Sequence, residues 1–233
     1  MIDFHSHVLP GIDDGSRSVR ESLELLAMEK AQGIRLVAAT PHFYPEEQSL
    51  EQFLLSRDES ARQLKETLSE DAPSILVGAE VLFYEGMAHT DGLSRLCLER
   101  TRLLLLEMPW ERWSHRTLDA VISLPLLTGL TVVIAHAERY LPLQKRDVRE
   151  KLLESSLLLQ CNASFFIDRK TSRQACRMLA EGKIRFIGSD CHRVAARPPR
   201  LAEAFAVIAE RNGPDAPKAL WQQMAEEIRR NEV

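Results

Sequence analysis

The chain has 233 residues, 45% hydrophobic and 27% charged, enough for a single globular domain over 1–233 with a sizeable core. Its net charge of −4 and pI near 6.0 lack the broad basic field that nucleic-acid and membrane-surface binders carry. Four cysteines, Cys97, Cys161, Cys176 and Cys191, form no CxxC pair, which argues against a disulfide framework or a thiolate zinc site.

The N-terminus enters an apolar strand pattern at Ile2 with no basic leader, and no later run approaches a membrane-spanning length. The expected location is the cytoplasm, without membrane insertion. Residues 2–5 form the first predicted strand. Ser18, three residues before Glu21, opens an amphipathic helix with Val19, Leu23, Leu26, Ala27 and Ala31 on one face and Gly33 at its end. IRLVAAT (34–40) is a second strand, stopped by Pro41, and a helical stretch runs from Glu46 to Leu68. Further strands are predicted at SILVGAE (74–80), RLLLLE (102–107), TVVIAH (131–136), LLLQCN (157–162) and IRFIGSD (184–190), with helix-length segments between them. After Asp190 the chain passes through ARPPR into helical segments at 200–211 and 216–230. Near-continuous apolar strands alternating with helices imply a parallel sheet buried on both faces, either a closed (β/α) barrel or a doubly wound open sheet. No G-x-G-x-x-G follows the first strand, and polar residues close the strands throughout rather than at one switch point. Both features favour the barrel, whose chemistry sits at the C-terminal strand ends.

Metal-ligand side chains recur at those ends. The first strand exits into His5 and His7, with Asp13 and Asp14 in the loop beyond; His42, Glu80, Glu107 and His136 follow at successive exits, and Asp190 and His192 at the last. Alternate residues of a strand share a face, so His5 with His7 and Asp190 with His192 can each chelate. A lone histidine is most often a surface or satisfied core residue, and His89 and His115 fit that reading. Five of the seven histidines lie at strand exits, however, and buried carboxylates such as Glu80 and Glu107 are costly unless paired or metal-bound. Five His, two Glu and two Asp are too many donors for one ion and suit three divalent ions with a bridging carboxylate. Imidazole and carboxylate without thiolate suit manganese, iron or zinc, and the centre keeps a positive balance that attracts an anion.

The segments HSHVLPGIDDG, ATPH, GAE, LLLE, IAHAER and GSDCH, in this order over residues 1 to about 200, resemble the motifs of the PHP (polymerase and histidinol phosphatase) superfamily. Within it, HSHVLPGIDDG, ATPHFYP and SDCHRVAARPP are similar to the bacterial manganese-dependent protein-tyrosine phosphatases of capsule and exopolysaccharide loci. The resemblance implies a distorted (β/α)7 barrel, TIM-barrel-like, with a trinuclear centre of three metal ions, most characteristically Mn. One ion takes His5, His7, Glu80 and Asp190; a second shares Glu80 and takes Glu107 and His136; the third takes Asp14, His42 and His192. Arg139 and Arg197 correspond to the phosphate-binding arginines. The implied reaction is metal-assisted phosphomonoester hydrolysis without a covalent enzyme intermediate, with His42 or His192 available to protonate the leaving group. The implied partner is a phosphotyrosine protein, the tail of a bacterial tyrosine autokinase in polysaccharide export. No nucleic acid is implied, and self-association as a homo-oligomer is left open.

Phe43 and Tyr44 stand where the family pattern has a histidine or small polar residue, and Trp110 and Trp113 follow Glu107. These aromatics either pack the loops or wall a slot for a phosphotyrosine ring. Cys191 and Arg197 have the C-x5-R spacing of cysteine-dependent phosphatases, but Asp190 raises the neighbouring thiol pKa and the loop HRVAA has no glycine for an anion cradle. The alternatives are a PHP-type phosphoesterase for a small molecule such as histidinol phosphate or a sugar or nucleotide phosphate, and a non-catalytic module that keeps the fold. The complete ligand set argues against the latter.

Overall fold

The computed structural model describes residues 1–233. Its strands are β1 (Ile2–Ser6), β2 (Leu36–Ala39), β3 (His42–Phe43), β4 (Ser74–Val77), β5 (Glu80–Leu82), β6 (Leu103–Glu107), β7 (Thr131–Ile134), β8 (Leu158–Asn162) and β9 (Phe186–Gly188). The helices are α1 (Val19–Ala31), α2 (Leu50–Lys65), α3 (His115–Thr128), α4 (Ala137–Tyr140), α5 (Arg146–Glu154), α6 (Ala163–Ile167), α7 (Ser172–Ala180), α8 (Leu201–Asn212) and α9 (Ala216–Arg230).

Every strand pairing is parallel, in the orders β1-β2-β4 and β3-β5-β6-β7-β8-β9. The second predicted strand stops before Pro41 as expected, with the short β3 beyond it, and the third is interrupted. Pro41 has no N–H to give a ladder and separates β2 from β3. Gly78 and Ala79 separate β4 from β5, where a Cβ on Gly78 would lie 3.2 Å from the Leu98 Cα. The two sets of strands thus continue into one another as a curled parallel α/β sheet. Its far edges also meet: Asp190 N donates to His5 O at 2.8 Å and His7 N donates to Cys191 O at 2.9 Å.

Gly188 permits that approach. A Cβ there would fall 2.5 Å from the His5 Cβ and 2.9 Å from the His5 N, so a side chain would push β9 off β1. The register of β1 against β2 shifts between Asp3 and Ser6, and Phe4 stacks on Phe186 at 3.7 Å beneath His5. One apolar cluster of 63 buried residues fills the molecule, including all of Leu103 to Leu106, as a parallel sheet covered on both faces requires.

The helix caps follow the expected signals, but α1 buries Ser22, Leu25, Leu26 and Glu29, so that of the predicted face only Leu26 is buried and Ala27 and Ala31 are exposed. Ser18 caps α1 by accepting from Glu21 N, and Ser49 with Gln52 forms a complete capping box on α2, four residues later than Glu46, where the polar pattern begins. Tyr44 to Gln48 instead form a turn, with Glu47 N and Gln48 N donating to Tyr44 O. No helix is long and apolar enough to cross a membrane.

Candidate metal centre at the strand exits

The strand ends bring all nine donors together, with Glu80 as the hub. Its carboxylate lies 3.1 Å from His5 Nε2, 3.3 Å from His7 Nε2, 3.1 Å from His42 Nδ1 and 2.7 Å from His136 Nε2. Asp190 Oδ1 is 3.7 Å from His5 Nε2, 3.5 Å from His7 Nε2 and 3.6 Å from His192 Nδ1. Glu107 approaches His42 at 3.5 Å and His136 at 3.7 Å; Asp14 approaches His192 at 3.4 Å and His42 at 3.7 Å. The donors fall into overlapping groups: His5, His7 and Asp190; His42, Glu80 and Glu107; and His7, Asp14, His42 and His192. His42 therefore faces Glu80 and Glu107 as well as Asp14 and His192. His115, by contrast, is exposed and pairs with Asp147 on the surface, and His89 sits in a short 3-10 turn.

A shell of hydrogen bonds orients these donors. Asp13 Oδ2 accepts from His7 Nδ1 at 2.7 Å, and Gln160 Oε1 from His5 Nδ1 at 3.2 Å and from the His136 N–H at 2.6 Å. Gln160 Nε2 donates in turn to Asn162 Oδ1, whose Nδ2 donates to Asp190 Oδ2 at 2.6 Å. Such second partners fix imidazole tautomers at metal sites. With Nδ1 donating on both rings, the neutral His5 and His7 turn acceptor Nε2 atoms toward each other at 3.2 Å, beside carboxylate oxygens of Glu80 and Asp190. An acceptor-only cluster of this kind demands cations. Buried side-chain atoms of His42, Glu80, Glu107 and His136 also lack any hydrogen-bond partner, so the donor set fits bound metal.

Protons substitute when no cation is present. Burial disfavours the charged form of His7, but hydrogen bonds to Asp13, Asp190 and Glu80 outweigh it and raise its pKa well above the usual imidazole value. Burial likewise opposes charge on Glu80 and Asp190, yet the surrounding histidines hold both well below the usual carboxylate range. The backbone is strained at two of the ligands: His136 has φ 30° and Asp190 φ 53°, left-handed conformations that cost energy for residues with a Cβ.

At one side of the cluster both predicted arginines converge on Asp190. Arg139 Nη2 donates to Oδ2 at 2.6 Å and Arg197 Nη2 to the same oxygen, while Arg197 Nη1 lies 3.3 Å from the His192 ring nitrogens. Cys191 faces the other way. Its buried Sγ lies 4.0 Å from Glu29, and burial, then the charges of Glu29 and Asp3, push its thiol well up. It has neither access nor ionisation for a nucleophile.

The four aromatics divide. Phe43 and Trp113 are buried, packing on Phe53 and Tyr140 respectively. Tyr44 stacks on His42 at 5.0 Å and 19°, and Trp110 is 70% exposed. A cavity of about 540 Å3 opens between Tyr44, His42 and Asp14. A larger one, about 1070 Å3, is lined by Arg57, Arg100 and Val233 among others, but none of the nine donors reaches it. Converging chemistry, not volume, locates the site.

Gln160, Asn162 and the role of Asp13 are not in the sequence prediction. The two amides stand at i and i+2 at the exit of β8, and that polar pair ending an apolar run was the available signal.

The chain is similar to known tyrosine-protein phosphatases, among them ones described as metal-dependent. The chain is 30% identical to the tyrosine-protein phosphatase YwqE of Bacillus subtilis, covering 100% of this chain and 93% of that protein. It is 30% identical to the tyrosine-protein phosphatase CpsB of Streptococcus pneumoniae over 95% of both chains, and 28% identical to CpsB of Streptococcus agalactiae over 99% of both. Among solved structures, one described under YwqE from Bacillus subtilis and CpsB from Streptococcus pneumoniae, as unique metal-dependent tyrosine phosphatases, superposes with a TM-score of 0.79 at 27% identity, covering 100% of this chain and 96% of that one. The family described as capsular polysaccharide synthesis, CpsB/CapC, matches residues 1–230, and the chain belongs to that family.

Proposed function

We propose that this chain is a metal-dependent protein-tyrosine phosphatase that acts in the cytoplasm on a phosphotyrosine protein of capsule or exopolysaccharide synthesis, such as a tyrosine-autokinase tail. The observation that carries the reading is the acceptor-only cluster around Glu80, with two arginines beside it. The curled sheet is then a distorted (β/α)7 barrel in one domain over 1–233, joined where Asp190 N meets His5 O.

Three divalent ions, Mn in the first instance and Fe or Zn by the same donor chemistry, have their ligands in His5, His7, Glu80 and Asp190; in Glu80, Glu107 and His136; and in Asp14, His42 and His192. When bound, such ions supply an activated water and neutralise charge developing on the phosphoryl group. Asp13 and Gln160 keep the His5 and His7 lone pairs turned inward, so the centre needs little rearrangement. Arg139 and Arg197, partly exposed and already aimed by Asp190, bind the non-bridging oxygens of the phosphate and steady the charge that grows there. Burial, His7 and Arg197 push His192 down to about 4, so at neutral pH it offers a lone pair to a metal rather than a proton to the leaving group. A phenolate, with a pKa of about 10, departs without much help.

The test compares kcat/KM for a phosphotyrosine peptide with that for histidinol phosphate. The reading expects the peptide to be preferred; preference for histidinol phosphate would assign the site to small-molecule phosphoesters instead.

A further inference from the structure

The centre is polar from end to end. Ring by ring it runs from Arg197, 3.3 Å from His192, to His7 at 3.9 Å from His192, to His42 at 4.5 Å from His7, to Tyr44 at 5.0 Å from His42. The two arginines occupy one end of this row. At the other end the cavity of about 540 Å3 is lined by Ile12, Asp13, Asp14, His42, Tyr44, Glu47 and Gln48, with no basic side chain other than His42. That volume lies within the roughly 300–1,000 Å3 range of small-molecule sites.

The cavity wall is held rigidly. Tyr44, just beyond β3, stacks on His42 while Phe43 points away and packs on Phe53 of α2 at 5.0 Å. Behind Tyr44 the turn is pinned by Glu47 N and Gln48 N on Tyr44 O, and the capping box at Ser49 starts α2 directly afterwards. One face of the half-buried Tyr44 ring is committed to His42, and Tyr44 lines the cavity.

We infer that this cavity is the leaving-group subsite: it takes the aryl ring of the phosphotyrosyl side chain against Tyr44, while Arg139 and Arg197 hold the phosphate at the opposite end. The inference rests on the phosphatase reading and gives it a direction. Glu47, a carboxylate of the cavity wall that the centre does not use, repels a phosphate while the guanidiniums draw it, so the ester oxygen points toward Tyr44 and the peptide leaves past Glu47. The same wall favours basic over acidic residues next to the phosphotyrosine. An alkyl phosphoester has no ring to fill the cavity and gains nothing from Tyr44.

The experiment measures kcat and KM of the metal-loaded enzyme, its Tyr44→Ala and Tyr44→Phe variants, and Glu47→Lys. Substrates are phenyl phosphate, ethyl phosphate, and phosphotyrosine peptides flanked by Lys or by Glu. Tyr44→Ala is expected to lower the ratio of phenyl to ethyl phosphate efficiency by about tenfold, chiefly through KM, and Tyr44→Phe to restore most of it. Glu47→Lys is expected to reverse the preference from the Lys-flanked to the Glu-flanked peptide. Equal losses on phenyl and ethyl phosphate in Tyr44→Ala overturn the subsite while leaving the phosphatase reading intact. A wild type that turns over no aryl phosphate overturns that reading and the subsite together.

Discussion

Asp13 Oδ2 accepts the Nδ1 proton of His7 at 2.7 Å, and the same oxygen takes the backbone N–H of His42 at 3.1 Å. One carboxylate thus sets the tautomer of one ligand and the position of another, while its neighbour Asp14 reaches His42 and His192 directly. Adjacent aspartates do different work because successive side chains of the PGIDDG loop point apart. Asp13→Ala should therefore weaken metal binding by about 10–100-fold without removing a ligand. Titration of the metal-free variant with manganese, followed by calorimetry, measures this; unchanged affinity would deny Asp13 the orienting role.

Arg139 and Arg197 share Asp190 Oδ2, a pairing that presents two planar donor sets to one anion. Lysine cannot reproduce that geometry. Arg197→Lys should lower kcat/KM for phosphotyrosine peptide by about 100-fold, the scale of a lost transition-state donor, while bound metal per chain stays as in the wild type. Steady-state kinetics alongside metal analysis separates the two quantities.

Cys191→Ser should retain hydrolysis within about twofold, since the thiol faces Glu29 and α1 rather than the cluster. Its cost belongs to stability, about 1–3 kcal/mol for a hydroxyl in a buried site. Loss of turnover in a folded Cys191→Ser protein would revive the cysteine mechanism.

Glu138 lies beneath the cluster, accepting from Asn162 N, and burial pushes its pKa up to about 7. Its folded pKa lies above the unfolded value of about 4.3, so its contribution to stability is fully present below that value and is lost as pH rises through 7. Glu138→Gln should match the wild type near pH 4 and exceed it at pH 8 by about 1–3 kcal/mol. Urea unfolding at both pH values checks the sign; a variant less stable at pH 8 would mean that the carboxylate is needed in its charged form.

Gly188→Ala should destabilise the fold by about 1–3 kcal/mol or more, because the added methyl meets the His5 Cβ and backbone N. The same displacement should lower manganese affinity. Thermal unfolding with and without metal measures both effects, and a larger loss in the metal-loaded protein is the expected pattern.

The alternation of β and α, the capped first helix and the strand-exit donors were legible because each is a local pattern: apolar runs, a Ser-x-x-Glu cap, polar residues at fixed places. The stop at Pro41 was legible too, since proline carries no N–H for a ladder; the interruption at Gly78 was not, since it depends on the approach of Leu98 from elsewhere in the chain. Spacing marks Gln160 and Asn162 only as a polar pair at a strand end, not their part, which is to join His5, His136 and Asp190 across 155, 24 and 28 residues of sequence. The aromatics divided for the same reason. Phe43 and Tyr44 are neighbours with opposite faces, and only the packing of α2 decides which one meets the centre.

The most direct test of the metal-centred account is phosphotyrosine-peptide hydrolysis by the purified chain as manganese is added back after chelation, with bound metal counted at each point. The account predicts no turnover in the chelated protein and recovery that completes as occupancy approaches three ions per chain. Turnover that persists in metal-free protein, or saturation with fewer than two ions bound, would contradict it.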